Sequence, residues 1–296
     1  MFTVEIDHMN LYQIANSGQC FRWQQINDNT YKIPAFGKEL TISQDGNTFI
    51  LSCDENEWNS LWRNYFDLDT DYNEVENIIM ESNDDFLKVA YQFGSEIRIL
   101  RQDLWEVIIS FIISQNNNIP RIKKSLEKIC AENNGKFPEW YDLINMNLAD
   151  KGLGYRDEYI RNACYARATT FADDDLESGY ANAKAQLMKI KGIGEKVANC
   201  ILLFALHYLD AFPQDVHIKR IIDREYGGEL PEITKQGEQV LIQETNEHIK
   251  IVTFYDSNQK IKIFESYGLY TCGFSYDDNY FMIANDAGII VLKRCC

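Results

Sequence analysis

Residues Leu187 to Leu206 read LMKIKGIGEKVANCILLFAL, and nine residues further on Asp215 stands within FPQDVH. The pattern is a helix, a tight Gly-Ile-Gly hairpin and a second helix with a lysine in its first turn. Gly192 and Gly194 free the backbone to turn sharply and to approach another molecule closely. The amides that open the second helix lack intrahelical partners, so this turn suits a phosphate and makes both glycines candidate DNA-backbone contacts. Lys196 lies in the same turn, where the positive end of the helix dipole disfavours an ammonium and favours the neutral amine. A lysine that can shed its proton beside a bound phosphate is a candidate nucleophile at a sugar carbon. The plainer alternative is a generic helix-turn-helix with one surface lysine. The apolar run from Val197 to Leu206 and an aspartate opening the next helix favour the first reading. Asp215 fits an N-cap, and it equally fits an ionised carboxylate that orients the lysine and stabilises positive charge on a sugar; the two roles are compatible.

Around this segment, 296 residues allow two or three domains with real cores, and 45% hydrophobic residues exclude a disordered chain. No apolar run reaches the ~18 residues of a membrane span, and no basic stretch followed by an apolar one opens the chain. A cytoplasmic monomer with no membrane partner is therefore expected, nucleoid-associated if bacterial. The eight cysteines (Cys20, Cys53, Cys130, Cys164, Cys200, Cys272, Cys295 and Cys296) are scattered without CxxC pairs. Reduced thiols, no metal and no cofactor are expected, with Cys295-Cys296 an exposed tail. A net charge of −16 opposes binding to nucleic acid, but its distribution does not. Asp54 to Leu87 holds eleven acids and one arginine, whereas Lys184 to Arg224 holds seven bases and four acids.

The N-terminal part reads as β-rich, with short strands at Tyr31–Pro34, Glu39–Ser43 and Thr48–Ser52 and helices at Glu57–Phe66 and Phe86–Phe93. From Gln102 to Gly228 the pattern is helical. Leu104, Ile108, Phe111 and Ile112 form one apolar face, Asn118 and Pro120 open the next helix, and further helices fit Asp157–Thr170 and Val216–Tyr226. After Gly227-Gly228 the period becomes two, which predicts a β-meander of 66 residues. The class is α+β, with divisions expected at 1–100, 101–230 and 231–296.

Five motifs in order, SGQCFRW (Ser17 to Trp23), SQNNNIPRI (Ser114 to Ile122), LGYRDEYI (Leu153 to Ile160), GIGEKVANC (Gly192 to Cys200) and FPQDVH (Phe212 to His217), carry a resemblance. Together they resemble the 8-oxoguanine DNA glycosylase/AP lyases of the helix-hairpin-helix (HhH-GPD) glycosylase superfamily. The similarity runs from Gly18 to Tyr226, about seven-tenths of the chain. The hairpin and aspartate alone would identify only the superfamily; NNN-x-x-R and GYR narrow it. The resemblance implies a TBP-like antiparallel β-domain on an all-helical domain, acting on damaged double-stranded DNA without a cofactor. The iron-sulfur glycosylases of the superfamily group four cysteines after the hairpin domain, and this chain does not.

Carried over by position, the resemblance implies that Lys196 attacks C1′ of the damaged nucleotide, expels the base and forms a Schiff base that permits β-elimination, with Asp215 as its acidic partner. The nucleotide must first leave the stack, which costs a few kcal/mol and orphans a cytosine. Asn116 would fill the vacated space, Arg121 and Arg156 would hydrogen-bond the cytosine, and Tyr155 would wedge against the bent duplex. A carbonyl at Gly18 would accept the N7 hydrogen that 8-oxoguanine has and guanine lacks. Cys200 would line the base pocket, and His217 would sit near the phosphate or the aspartate. Each has a plainer reading: Asn116 a polar loop, Arg156 a solvated charge, Tyr155 and Cys200 core, Gly18 a loop glycine, His217 structural. The chain departs from the family after Tyr226, where the helix presenting a glutamine and an aromatic ring to the flipped base is not recognisable. Three functions therefore stand open: the glycosylase/lyase, a weakened lesion-binding or lyase-only protein, and the same machinery on another oxidised base.

Overall fold

The structure is a computed structural model. It describes residues 2–169, 176 and 179–228 with their side chains, and beyond them the strands between Glu232 and Lys293. By compactness the chain groups into two units, Met1–Tyr72 with Phe93–His217, and Asn73–Gln92 with Ile218–Cys296. That grouping cuts across the three segments read from the sequence, because residues 73–92 fall with the C-terminal part.

The first unit opens with β1 (Phe2–Glu5) and α1 (Leu11–Asn16), followed by β2 (Gln24–Asn27), β3 (Thr30–Ala35), β4 (Lys38–Asp45) and β5 (Thr48–Leu51). These strands form one antiparallel sheet in the order β1-β5-β4-β3-β2. Alternation decides its buried face: Tyr31, Ile33 and Ala35 of β3, and Leu40 and Ile42 of β4, turn inward. A helical stretch covers it, comprising α2 (Glu55–Glu57), a π-helical turn (Trp58–Trp62) and α3 (Arg63–Tyr65). Trp58, Trp62, Tyr65 and Phe66 complete this core, in which Trp23 Nε1 donates to the Tyr65 hydroxyl at 2.8 Å.

A second core belongs to the helices of the same unit. Helices α4 (Tyr72–Glu81) and α5 (Asp85–Gly94) fall almost wholly in the second unit; the later helices of the first are α6 (Leu104–Ser114), α7 (Ile119–Ala131), α8 (Trp140–Leu143), α9 (Arg156–Thr169), α10 (Tyr180–Met188) and α11 (Glu195–Phe204), and α12 (Val216–Tyr226) runs on into the second unit. Asp103 caps α6 by accepting from the Glu106 amide at 2.9 Å, and Asn118 caps α7 by accepting from the Arg121 amide at 3.0 Å. Apolar side chains of α6, α7, α9, α10 and α11 make one contiguous core. The two cores meet through Arg22, which follows Phe21 of the helical core and precedes Trp23 of the sheet core. Arg22 pairs with Glu106 at 2.6 Å and donates to the Gly135 carbonyl at 2.9 Å. Burial pushes Glu106 up to about 7 although Arg22 pulls it down. Here the loss of hydration outweighs the ion pair.

The strap after α5 is tied by a buried carboxylate. Asp67, 1% exposed, accepts from Arg101 Nε at 2.8 Å, Thr70 Oγ1 at 2.9 Å and the Tyr72 hydroxyl at 3.2 Å. His207 Nε2 stands 3.2 Å from it, off the hydrogen-bond line. The Arg98 guanidinium donates to the Asp67 carbonyl at 2.8 Å and lies over the Tyr72 ring.

In the second unit, the Tyr226 hydroxyl donates to Asp84 at 2.6 Å and its ring meets Phe86 edge-on. The expected meander is present as two antiparallel sheets in sequence order. One holds β6 (Glu232–Ile233), β7 (Gln239–Glu244), β8 (Lys250–Asp256) and β9 (Gln259–Ser266); the other holds β10 (Leu269–Phe274), β11 (Tyr280–Asn285) and β12 (Gly288–Lys293). Cys20, Cys53, Cys130, Cys164 and Cys200 are free thiols, whereas Cys295-Cys296 lie outside the described residues. Among the described residues no helix is long and apolar enough to cross a membrane, and no three metal-ligating side chains are gathered.

Burial by itself would raise the Asp67 carboxyl, but contacts from His207, Arg101 and Thr70 hold it below its ordinary value. A carboxyl depressed on folding stabilises above its unfolded pKa of about 3.9 and loses that contribution as pH falls through the folded value. Asp67→Asn is expected to cost about 3 kcal/mol at neutral pH. In Tm measured against pH, its deficit relative to wild type should shrink below about pH 4. A deficit constant with pH would contradict the assignment.

Candidate active site

The hairpin forms as its glycines require. Gly192 has φ +102, and a Cβ there would stand 2.4 Å from Cγ of Tyr159. Only glycine combines that backbone angle with that approach. Gly194 is extended, with open space where a side chain would be, and stands at the N-cap of α11. The Gly192 carbonyl accepts from Gln115 Nε2 at 2.8 Å, which ties the hairpin to the end of α6.

Lys196, in the first turn of α11, extends its Nζ over the Phe111 ring at 5.3 Å from the centroid, within range of a cation–π contact. Phe111 is stacked on Phe204 (5.5 Å, 17°) and takes the edge of Phe21 (5.5 Å, 66°). Cys200 lies one turn beyond Lys196, on the same helix face. Burial pushes its thiol up to about 11, the Lys196 charge and a hydrogen bond from Lys196 pull it down, and the nearby Asp215 carboxylate pushes it up again. Lys196 and Asp215 thus both act on the Cys200 thiol. Asp215 accepts from the His217 amide at 2.8 Å, an N-cap on α12. The capping role read from the sequence is present.

The second group gathers around the loop after α6. Asn116 is exposed with φ +47, and its Nδ2 donates to the Tyr155 hydroxyl at 3.3 Å. Tyr155 is 49% exposed, so it is not core. Arg156 is 5% exposed, so it is not a solvated charge. Its guanidinium donates to the carbonyls of Gln115 (Nε, 2.9 Å), Leu153 (3.1 Å) and Asn116 (3.0 Å) and lies over the Tyr155 ring at 4.6 Å. Arg156 thus braces the Asn116 loop from beneath. Arg121, in the first turn of α7, is exposed. His217 is exposed beside Asp215.

Gly18, at φ +83, lies in the turn after α1 with nothing within 4 Å of a Cβ position. Its neighbour Gln19 is buried and fully engaged. Gln19 Nε2 donates to the Arg98 carbonyl at 3.0 Å, its Oε1 accepts from the Leu100 amide at 2.8 Å, and its carbonyl accepts from Gln102 at 2.8 Å. Phe21, three residues beyond Gly18, reaches the Phe111 ring that Lys196 covers. A cleft of about 470 Å³ lined by Phe21, Arg22, Lys32 and Lys123 contains none of the sequence-predicted site residues.

Known proteins resemble this chain in sequence and fold. The family model for the 8-oxoguanine DNA glycosylase N-terminal domain matches residues 1–108. The solved structure of MBOgg1, in complex with a low affinity DNA ligand, is 34% identical with a TM-score of 0.72, covering 77% of this chain and 84% of that one. The chain belongs to the 8-oxoguanine DNA glycosylase family. The Clostridium acetobutylicum 8-oxoguanine glycosylase/lyase in its apo-form is 31% identical with a TM-score of 0.70, over 78% of this chain and 85% of that one. The same enzyme in complex with double-stranded DNA containing cytosine opposite 8-oxoguanine gives 28% and 0.70, over 79% and 88%. The N-glycosylase/DNA lyase of Saccharomyces cerevisiae is 28% identical over 73% of this chain and 68% of the yeast protein.

For this glycosylase, the sequence assigns no role in the site to Gln115, Gln19 or Asn199 and reads Phe111 only as part of an apolar helix face. Of these, Asn199 alone carries a signal, a polar residue inside an apolar run that needs a buried partner. Gly192→Ala should strain the hairpin, at about 1–3 kcal/mol for the backbone alone, and displace Tyr159. A lower Tm with lost binding to undamaged duplex is the expected result, and unchanged binding would contradict the hairpin's role. Arg156→Ala should lower Tm as well, at a cost of about 1–3 kcal/mol, since the Leu153 and Asn116 carbonyls lose its guanidinium donors and the Gln115 carbonyl keeps only the Tyr155 hydroxyl at 3.4 Å.

Proposed function

We propose that Lys196 is the nucleophile and Asp215 its carboxylate partner in this chain, a DNA-binding, bifunctional 8-oxoguanine DNA glycosylase/AP lyase. The observation that carries the residue assignment is the hairpin itself: Gly192 held by Gln115 and Tyr159, Lys196 in the first turn of the next helix over Phe111, and Asp215 capping the helix that follows. The neutral amine attacks C1′, the bond from C1′ to the base breaks, and the base leaves with its electron pair. Loss of a proton from nitrogen and ring opening give a Schiff base, from which β-elimination expels the 3′ phosphate. Asp215 stabilises the positive charge on the sugar as the base departs.

The Gly18 carbonyl is the proposed reader of the N7 hydrogen, held in place by the fully bonded Gln19. Asn116 and Tyr155, exposed and joined, are suited to the gap and the wedge. Arg121 is the proposed contact for the orphan cytosine, whereas Arg156 shapes the loop because its donors face protein carbonyls. His217 is proposed near the phosphate. The proposed functional state is a monomer on damaged duplex DNA. A lyase-weighted activity is the second reading, favoured by one observation: among the described residues no helix follows Tyr226.

Borohydride trapping on a duplex with 8-oxoguanine opposite cytosine tests this. The wild type should give a covalent adduct and Lys196→Gln none. Trapping only on an abasic duplex selects the second reading, and no trapping on either duplex defeats the assignment of Lys196. Arg121→Ala should lower discrimination for cytosine by about 1–3 kcal/mol, measured as the ratio of excision rates opposite cytosine and adenine; an unaltered ratio would remove Arg121 from that role.

A further inference from the structure

Asn199 is a polar residue inside the apolar run of α11, 6% exposed, and it follows Lys196 by three positions, close to one helical turn. Its Nδ2 donates to the Phe212 carbonyl at 3.1 Å, and its Oδ1 accepts from the Tyr180 hydroxyl at 3.0 Å. The amide orientation is set by the chain of donors. Lys184 Nζ, paired with Glu195 at 2.7 Å, points to the Tyr180 hydroxyl at 3.4 Å. An ammonium only donates, so the tyrosine proton is directed to Asn199 Oδ1 and the amide nitrogen is left for Phe212.

Phe212 begins the segment that ends at Asp215. Its ring is 44% exposed, so side-chain packing does not fix this point of the chain; its carbonyl is what α11 holds. Ala211 just before it is buried, and its amide donates to the Tyr208 carbonyl at 2.9 Å. Pro213 fixes its own φ and restricts Phe212 to extended angles. From the held carbonyl to the carboxylate there is thus a short, stiff arm. The helix that carries Lys196 also grips the arm that carries Asp215.

We propose that Asn199 is a positioning residue, which sets the separation and aim of Asp215 relative to Lys196 by holding the Phe212 carbonyl from the lysine's own helix. The inference rests on the proposed roles of Lys196 and Asp215. A misplacement near 1 Å can cost about 10²-fold in rate, so the bond matters to the chemistry beyond its share of stability.

Three variants in the full chain separate positioning from packing. Asn199→Leu removes the donor; Asn199→Asp keeps the shape and the acceptor for Tyr180; Tyr180→Phe leaves the bond to Phe212 in place. Each is measured for single-turnover excision of 8-oxoguanine, affinity for abasic duplex, and Tm. Asn199→Leu should lose about 10²-fold in excision with affinity unchanged. Asn199→Asp should be slow when ionised and recover as pH falls, because a protonated carboxyl donates to Phe212 and a carboxylate does not. Tyr180→Phe should lower Tm while excising at close to the wild-type rate. Wild-type excision by Asn199→Leu overturns the proposal, and so does a Tyr180→Phe variant as slow as Asn199→Leu, which would show simple helix packing. Trapping by the wild type is measured alongside. Its absence overturns the lysine assignment and this inference together; its presence with a normal Asn199→Leu overturns this inference alone.

Discussion

A single side-chain amide, Gln115 Nε2 to the Gly192 carbonyl at 2.8 Å, joins the pieces on which the site depends. Gln115 comes directly after the last turn of α6, where helix carbonyls lack intrahelical donors. Its own carbonyl is satisfied by Arg156, at the first turn of α9. Gly192 meanwhile lies against the Tyr159 ring of the same α9, so closely that no side chain fits. Three segments far apart in sequence are thereby locked at one junction, and each lock uses a different property: an amide donor, a five-donor cation and the absence of a Cβ. From the junction emerge the Asn116 loop on one side and the turn into Lys196 on the other. The left-handed backbone of Asn116, which costs about 1–3 kcal/mol, persists because Arg156 and Tyr155 hold both its carbonyl and its side chain.

The same junction bears on how a chain with net charge −16 binds an anion. On the hairpin side, Lys184 pairs with Glu195 and Lys191 with Glu158. Exposed pairs of this kind contribute about 0–1 kcal/mol each, so an approaching phosphate can displace the carboxylate at little cost. Released counterions then make affinity fall with salt. The fixed part of the anion site read from the sequence would be the row of amides at the start of α11, which no ionic strength removes. Acid concentrated at Asp54 to Leu87 leaves the hairpin's stretch of sequence positive by comparison.

How legible each feature is in the sequence depends on how local its cause is. Lys196 and Asp215 are readable because their surroundings are set within one turn: a glycine pair, a helix start, a cap. The hairpin, the caps at Asn118 and Asp215 and the strands around Tyr31 and Ile42 are local in the same sense. Arg156 reads in sequence as a solvated charge or a cytosine reader, and neither captures its place against carbonyls forty residues away. Nothing near it in sequence announces those partners. β1 and α1 escape notice because a four-residue edge strand and a six-residue helix carry too few periods to register. Asn199 and Gln115 lie inside the GIGEKVANC and SQNNNIPRI motifs, yet pattern alone gives them no role. Each donates to a carbonyl outside its own helix, Gln115 to Gly192 and Asn199 to Phe212, which no local spacing specifies.

The floor under Lys196 constrains how the chain can hold a base. Phe21, Phe111 and Phe204 form a continuous aromatic platform drawn from three separate segments. Cys200, pushed up to about 11, is a neutral thiol at physiological pH and presents no charge to a neutral base. Neither surface distinguishes guanine from its oxidised form, so discrimination must come from a hydrogen-bonding group, the role proposed for Gly18 next to the immobilised Gln19. On the proposed mechanism an abasic sugar needs neither the platform nor that group, only the hairpin, Lys196 and Asp215. Any loss of grip on the base from above therefore falls on excision far more heavily than on strand cleavage. On the proposed mechanism the two activities share Lys196, but they do not depend equally on the groups that hold the base.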